Sequence, residues 1–105
     1  MEPLQSAFRA LADPTRRGIL TLLAQSEMTI GEVTEAFPMT RAAVKKHLTI
    51  LEEGRLIEVE PRGRERVNRL RPGALKPVSD WITQLDAAWD DRLADLKSAI
   101  ERDLQ

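Results

Sequence analysis

Hydrophobic positions recur along this chain in two rhythms, one helical and one extended, and the switch between them maps its elements. Leu4, Ala7, Phe8 and Leu11 stand at the three- and four-residue spacing of one helix face, and Pro3 suits a first helical position. Asp13 reads as an N-cap with Pro14 opening a second helix, whose Ile19, Leu20, Leu22 and Leu23 make it the most apolar part of the chain and a predicted core element. Thr29 and Glu32 have capping-box spacing, and the helix they open is short because Phe37-Pro38 stops it. Thr40 caps the next helix, where Val44, Leu48 and Leu51 share one face, and Gly54 is expected to end it. From Leu56 the texture changes: residues 56–60, then Pro61-Arg62-Gly63-Arg64, then residues 65–70 read as strand, turn, strand. Pro72-Gly73 closes this unit. The expected fold class is mostly α with a small β-hairpin, in the order α-α-α-α-β-β-α.

The last helix is expected over 74–102, with Val78, Ile82, Leu85, Trp89, Leu93, Leu96 and Ile100 in a mostly four-three stagger. At ~1.5 Å per residue it spans ~43 Å, longer than a chain of this size is wide. One face stays apolar throughout, so the helix needs a partner beyond its own globule, and the simplest is a second copy of the chain. Trp81 and Trp89 fit the core of such a dimer better than the lining of an effector pocket.

Composition narrows the class. The 105 residues fit one domain, and the absence of Cys removes disulfides, thiolate metal sites and cysteine nucleophiles together. No apolar run approaches the ~18 residues of a membrane span, and the N-terminus lacks a signal peptide's pattern, so a soluble cytoplasmic protein with no membrane partner is expected. The formal net charge of −1 argues weakly against nucleic acid until it is divided. Residues 1–77 carry +3, residues 78–105 carry −4, and the stretch 41–71 alone carries +4. Nucleic-acid binding needs a local positive face, not a positive total.

The spacing of the elements gives that face a geometry. A short helix, a three-residue connection and a second helix is helix-turn-helix spacing. With Val44, Leu48 and Leu51 inward, Arg41, Ala42, Lys45, Lys46 and Thr49 point outward and Thr40 sits at the exposed start. A helix fits the DNA major groove; Arg and Lys suit guanine's two acceptors, and small Ala42 and Ala43 allow close approach or a thymine-methyl contact. Arg62, Arg64 and Arg66 crowd a tip built around Gly63, which reads as a wing lying along the backbone or in the minor groove. Glu58, Glu60 and Glu65 offer cross-strand ion pairs to some of those arginines. His47 stands at the edge of the buried face, equally placed for a DNA contact or for packing.

FRALADPTRRGILTLL at 8–23, TIGEVTEAF, TRAAVKKHLTILEEGRLIEVEPRGRERVNRL and the long terminal helix together resemble the ArsR-type winged-helix repressors over nearly the whole chain. The resemblance implies a homodimeric transcriptional repressor: segments 1–12 and 74–103 for dimerisation, 29–54 as helix-turn-helix, 55–71 as wing. It places Thr40, Arg41, Ala42, Lys45, Lys46 and His47 where that family reads DNA, and Arg62, Arg64 and Arg66 in its wing. It also implies a dimer interface through Leu4, Phe8, Val78, Trp81, Ile82, Leu85, Trp89, Leu93 and Leu96. Pro38 stands where such turns more usually carry Gly.

The family's best-known members release DNA when a metal binds, through thiolates near the position of Ile30–Val33 or through His and carboxylates on the last helix. This chain has no Cys and no His on that helix; Asp80, Asp86, Asp90 and Asp91 are scattered carboxylates. The pattern around Trp81 and Trp89 looks like a branch of the family without those sites, so no metal and no cofactor is expected, and a small-molecule effector is left open. Catalysis is the weakest rival, because one His without Cys, a P-loop or G-x-S-x-G assembles no nucleophile. The stronger rival is a winged-helix module that docks another protein through its long apolar helix.

Overall fold

The computed structural model describes residues 2–103. Two compact units divide the chain, Met1–Leu75 and Lys76–Gln105. The first contains helices α1 (Pro3–Leu11), α2 (Pro14–Leu23), α3 (Ile30–Glu35) and α4 (Arg41–Glu53), with strands β1 (Met28–Thr29), β2 (Ile57–Arg62) and β3 (Glu65–Leu70). The second is one helix, α5 (Lys76–Asp103).

Local chemistry sets most boundaries. The Asp13 carboxylate accepts from the Arg16 N–H at 3.0 Å, and Pro14 opens α2, as the sequence predicts. At α3 the capping box is complete: Thr29 Oγ1 accepts from the Glu32 N–H, and Glu32 Oε1 accepts from the Thr29 N–H. Thr40 Oγ1 accepts from the Ala43 N–H at the start of α4. The connection from α3 to α4 is a tight turn in which the Met39 N–H donates to the Phe37 carbonyl at 2.9 Å. Pro38 sits at its centre, where no left-handed residue is required, so proline serves as well as glycine.

Four details depart from the sequence reading. A third strand exists: the extended backbone of Met28 and the N-cap Thr29 pairs with β3, giving an antiparallel sheet of order β1-β3-β2 with Met28 opposite Asn68. Two residues are too few for an alternation to show in sequence. The hairpin turn is only Gly63-Arg64, because the strands run on through Arg62 and Glu65. Gly63 holds φ +65°, the left-handed value a two-residue turn asks of its first position. Pro61 is carried by β2, an edge strand, where a missing N–H is tolerated. Helix α5 starts at Lys76 rather than 74, because Gly73 is left-handed at φ +70° and Pro77 suits a first helical turn.

The fourth concerns Gly54. It caps α4 as expected, but its own φ is an ordinary −75° and the left-handed residue is Arg55, at φ 58°. The Leu56 N–H donates to the Leu51 carbonyl and the Arg55 N–H to the Glu52 carbonyl, a Schellman arrangement that buries Leu56 with Leu51. Glycine is needed at 54 for space: a Cβ there would stand 2.9 Å from the Ser6 carbonyl oxygen and 3.1 Å from the Ala10 Cβ. Helix α1 therefore approaches α4 through small residues, and its buried positions are Ala7 and Ala10, with Leu4, Phe8 and Leu11 half-buried. The rest of this core is Ile19, Leu23, Val33, Val44, Leu48, Leu51, Leu56, Ile57 and Val67. Within the second unit Val78 is buried, while Ile82, Leu85, Trp89, Leu93, Leu96 and Ile100 are 43–57% exposed.

Two substitutions separate the roles of the adjacent residues. Gly54→Ala is expected to cost ~1–3 kcal/mol in chemical denaturation through overpacking against α1. Arg55→Gly is expected to stabilise by up to ~1 kcal/mol by removing the left-handed strain. The opposite ranking would contradict this account of the cap.

Candidate nucleic-acid interface

Helix α4 is amphipathic in the way its spacing predicts. Val44, Leu48 and Leu51 are buried, and Thr40, Arg41, Ala42, Lys45, Lys46 and Thr49 are exposed. Its first turn contains no acidic residue. Three cations in its first two turns oppose the positive end of the helix dipole, a local cost of a few tenths of a kcal/mol or more that an anion facing the helix would reverse.

The outer face borders two hollows. A cleft of about 400 Å³ lies between α4 and the sheet. Arg41, Lys45, Thr49 and Glu52 line its helix side, and Arg64, Glu65, Arg66, Val59 and Asn68 its wing side. On the other flank Ala42, Lys46, Ile50 and Glu53 meet Arg9 of α1 in a shallower hollow, with Lys45 and Thr49 bordering both. Lys45 and Thr49 thus form the ridge of the helix that points most directly outward, and Arg41 leans toward the wing. Asn68, 3% exposed, donates from Nδ2 to the Met28 carbonyl at 3.2 Å and ties β3 to β1 beneath the cleft.

The three wing arginines do not share one situation. Arg62 donates to Glu27 Oε1 at 2.7 Å and to Glu60 Oε2 at 2.8 Å, while Arg69 donates to Glu60 and twice to Glu58, each at 3.1 Å. The cross-strand pairs expected between Glu58, Glu60 or Glu65 and the wing arginines do not form among the described residues: Glu58 pairs with Arg69, Glu60 pairs with Arg69 across the strands and with Arg62 along β2, and Glu65 is in no salt bridge. Glu27, 35 residues from Arg62, had no local signal and is found only by folding. Arg64 and Arg66 are exposed and take part in no salt bridge among the described residues. The Arg62 hydrogen bond and charge hold the Glu27 carboxyl below the usual range, and the carboxylates raise the Arg62 guanidinium further above its ordinary value.

His47 is half-buried with Nδ1 3.3 Å from an Arg16 guanidinium nitrogen. Arginine can only donate, so in this contact Nδ1 stands as the acceptor. Arg16 was not singled out by sequence reasoning. Its Nε donates to the Ala10 carbonyl and its Nη2 to the Arg9 carbonyl, while Arg17 reaches the Leu11 carbonyl. These bonds satisfy the free carbonyls at the end of α1 and fasten α1, α2 and α4 together. No group of three or more His, Asp or Glu side chains suited to a metal ion gathers among the described residues, and no described helix is long and apolar enough to cross a membrane.

A helix with a basic outer face, preceded by a tight turn and flanked by a basic β-hairpin, defines a winged helix-turn-helix. A helix-turn-helix domain family model matches residues 11–60. The HTH-type transcriptional regulator Rv2034 of Mycobacterium tuberculosis is 37% identical over 95 residues, covering 90% of this chain and 86% of that protein. An ArsR-like transcriptional regulator from Rhodococcus sp. RHA1 superposes with a TM-score of 0.82 at 34% identity, covering 91% of each chain. The homodimeric winged helix-turn-helix DNA-binding domain of Mb0332 from Mycobacterium bovis gives 0.63 at 26% identity, over 85% of this chain and 80% of that one. The chain belongs to the ArsR family of winged helix-turn-helix transcriptional regulators.

Asp13 gives this unit a pH signature. Chiefly through the Arg16 backbone N–H, and further through the Arg16 charge, its carboxyl is held below the ordinary 3.8. A depressed folded value confers stability that is present above the unfolded value and is lost as pH falls through the folded one. Asp13→Asn is therefore expected to be less stable than wild type at pH 7, with the difference shrinking as denaturation is repeated at pH below ~4. A difference that stays constant into strong acid would contradict it.

Proposed function

We propose that the protein is a homodimeric repressor that reads an inverted-repeat operator, with α4 in the major groove and the wing tip on the backbone. The single observation that carries this reading is the cleft: Arg41 and Lys45 on one wall and Arg64 and Arg66 on the other, none in a salt bridge among the described residues. These four cations, without ion-pair partners and outnumbering Glu52 and Glu65 in the same cleft, suit a polyanion that runs between the two walls. Thr40, Ala42, Lys46 and Thr49 complete the groove-facing surface, and His47 supports the helix from behind through Arg16. In this reading the whole chain works as one DNA-binding unit, with 29–54 as helix-turn-helix and 55–71 as wing.

The dimer rests on α5. Its 28 residues extend ~42 Å, and the apolar series Ile82, Leu85, Trp89, Leu93, Leu96 and Ile100 is exposed along it. Coiled-coil-like pairing with a second copy covers such a stripe, the 42% exposed Trp81 extends it, Val78 is already buried within the chain and drops out, and the similar Mb0332 domain is homodimeric. Twofold symmetry then sets half-site centres about one turn (~10 bp) or a multiple apart. A dimer seated on a promoter blocks polymerase by occupying the same duplex, so repression needs no further module. The role is binding rather than catalysis, and the relatives' bacterial setting makes the cytoplasm the proposed site of action.

Gel shift with the duplex upstream of the gene tests the reading: affinity should fall ~10³–10⁵-fold between 50 and 200 mM salt, and salt-insensitive or absent binding would favour the protein-docking alternative. Arg41→Ala or Lys45→Ala should relax sequence preference by ~1–3 kcal/mol per lost base contact; unchanged preference in both would displace α4 from the groove. Leu85→Ala with Trp89→Ala should dissociate the dimer in sedimentation and abolish operator binding, whereas a surviving dimer would rule out pairing through α5.

A further inference from the structure

The side chains of β2 alternate between the two faces of the sheet, and this places the wing arginines apart. Val59 lines the cleft toward α4, so Glu58, Glu60 and Arg62 belong to the opposite face; from β3, Arg66 and Asn68 line the cleft. On the face away from the cleft a continuous series of ion pairs runs Glu27–Arg62–Glu60–Arg69–Glu58, in which Glu60 Oε2 joins both guanidiniums at 2.8 and 3.1 Å. Glu27 immediately precedes β1, whereas Arg62 ends β2, with β3 between those strands. The series therefore straps the far edge of the sheet to the near one at the base of the hairpin tip. Arg62 commits both terminal nitrogens to this strap, and a phosphate would have to compete with two carboxylates for them.

Resting on the DNA-binding reading above, we infer that Arg62 is a positioning residue that fixes the pitch of the wing against the body of the domain, and that Arg64 and Arg66 alone are the wing's phosphate contacts. Single exposed ion pairs contribute little, but a shared network has a larger effect on order than its separate pairs. The strap holds the tip where Arg64 and Arg66 face Arg41 and Lys45 across the cleft. Losing it disorders the wing without removing a phosphate contact; losing Arg64 does the reverse.

Salt dependence distinguishes these, because each lost phosphate contact lowers the slope of log affinity against log salt by ~0.9, whereas lost preorganisation leaves the slope alone. The full chain is titrated with a random-sequence duplex of about two turns (~20 bp), with salt varied between 50 and 200 mM. Arg64→Ala is expected to reduce the slope by ~0.9 per subunit. Arg62→Ala is expected to weaken binding ~3–10-fold at every salt concentration with the slope unchanged. Glu27→Gln should weaken binding although it removes a negative charge, and Arg62→Ala added to it should have less than its full effect, because both cut the same strap. A slope loss in Arg62→Ala equal to that in Arg64→Ala, tighter binding by Glu27→Gln, or full additivity would overturn the inference.

A second measurement stands apart from DNA. In the free protein, hydrogen exchange of the amides of residues 60 and 62–67 should accelerate in Arg62→Ala and stay at the wild-type rate in Arg64→Ala. Equal exchange in both variants would overturn the strap. Accelerated exchange in a protein whose wild type fails to bind duplex would leave the strap standing and remove the DNA-binding reading instead.

Discussion

Everything the basic face of α4 can do depends on what holds its back. Burial of Val44, Leu48 and Leu51 fixes the helix's rotation, and helical spacing then dictates that Arg41, Lys45 and Thr49 emerge on the opposite side. Each of those apolar side chains contributes ~1.5–3 kcal/mol by leaving water, several times the worth of any exposed ion pair in the domain. The chemistry that recognises a ligand and the chemistry that sets the fold are thus on different faces of one helix. Charges on the outer face are free to change partners without the core noticing.

The elements around α4 brace it from different directions. Glycine at 54 lets α1 come close enough for Ala7 and Ala10 to be buried. Arg16 joins the end of α1 to His47 on α4. The Phe37 ring lies against Gly18 of α2, where an added Cβ would be 3.3 Å away, which seats the turn that launches α4. On the remaining side Asn68 and the strap through Arg62 order the sheet that forms the cleft's second wall. Bracing of this kind is what the proposed groove-reading role of α4 would require, because a small displacement would carry its donors away from the base edges.

Much of this was legible beforehand, for physical reasons that differ by element. Caps at Asp13, Thr29 and Thr40 are local devices, complete within three or four residues, so sequence displays them whole. The faces of α4 follow from a strong 3.6-residue period. The exposed state of Arg64 and Arg66 follows from a polar tip around Gly63. What escaped notice is long-range or very short. Strand β1 has two residues, the Glu27–Arg62 pair spans 35, and the tight spot at Gly54 exists only because α1 arrives from 44 residues upstream. Gly54 also shows that an expected cap can be right in place and wrong in cause. The contact of His47 with Arg16, 31 residues away, likewise had no local signal in sequence.

The net charge of −1 is likewise a sum over surfaces with separate purposes, the acidic residues of α5 offsetting a basic unit elsewhere in the chain. The most direct test of the whole account is a residue-resolved map of where the protein meets DNA. Isotope-labelled full-length protein titrated with the duplex upstream of its gene should show amide shift changes concentrated at 40–49 and 63–66. Changes confined to 76–103, with α4 and the wing silent, would contradict it.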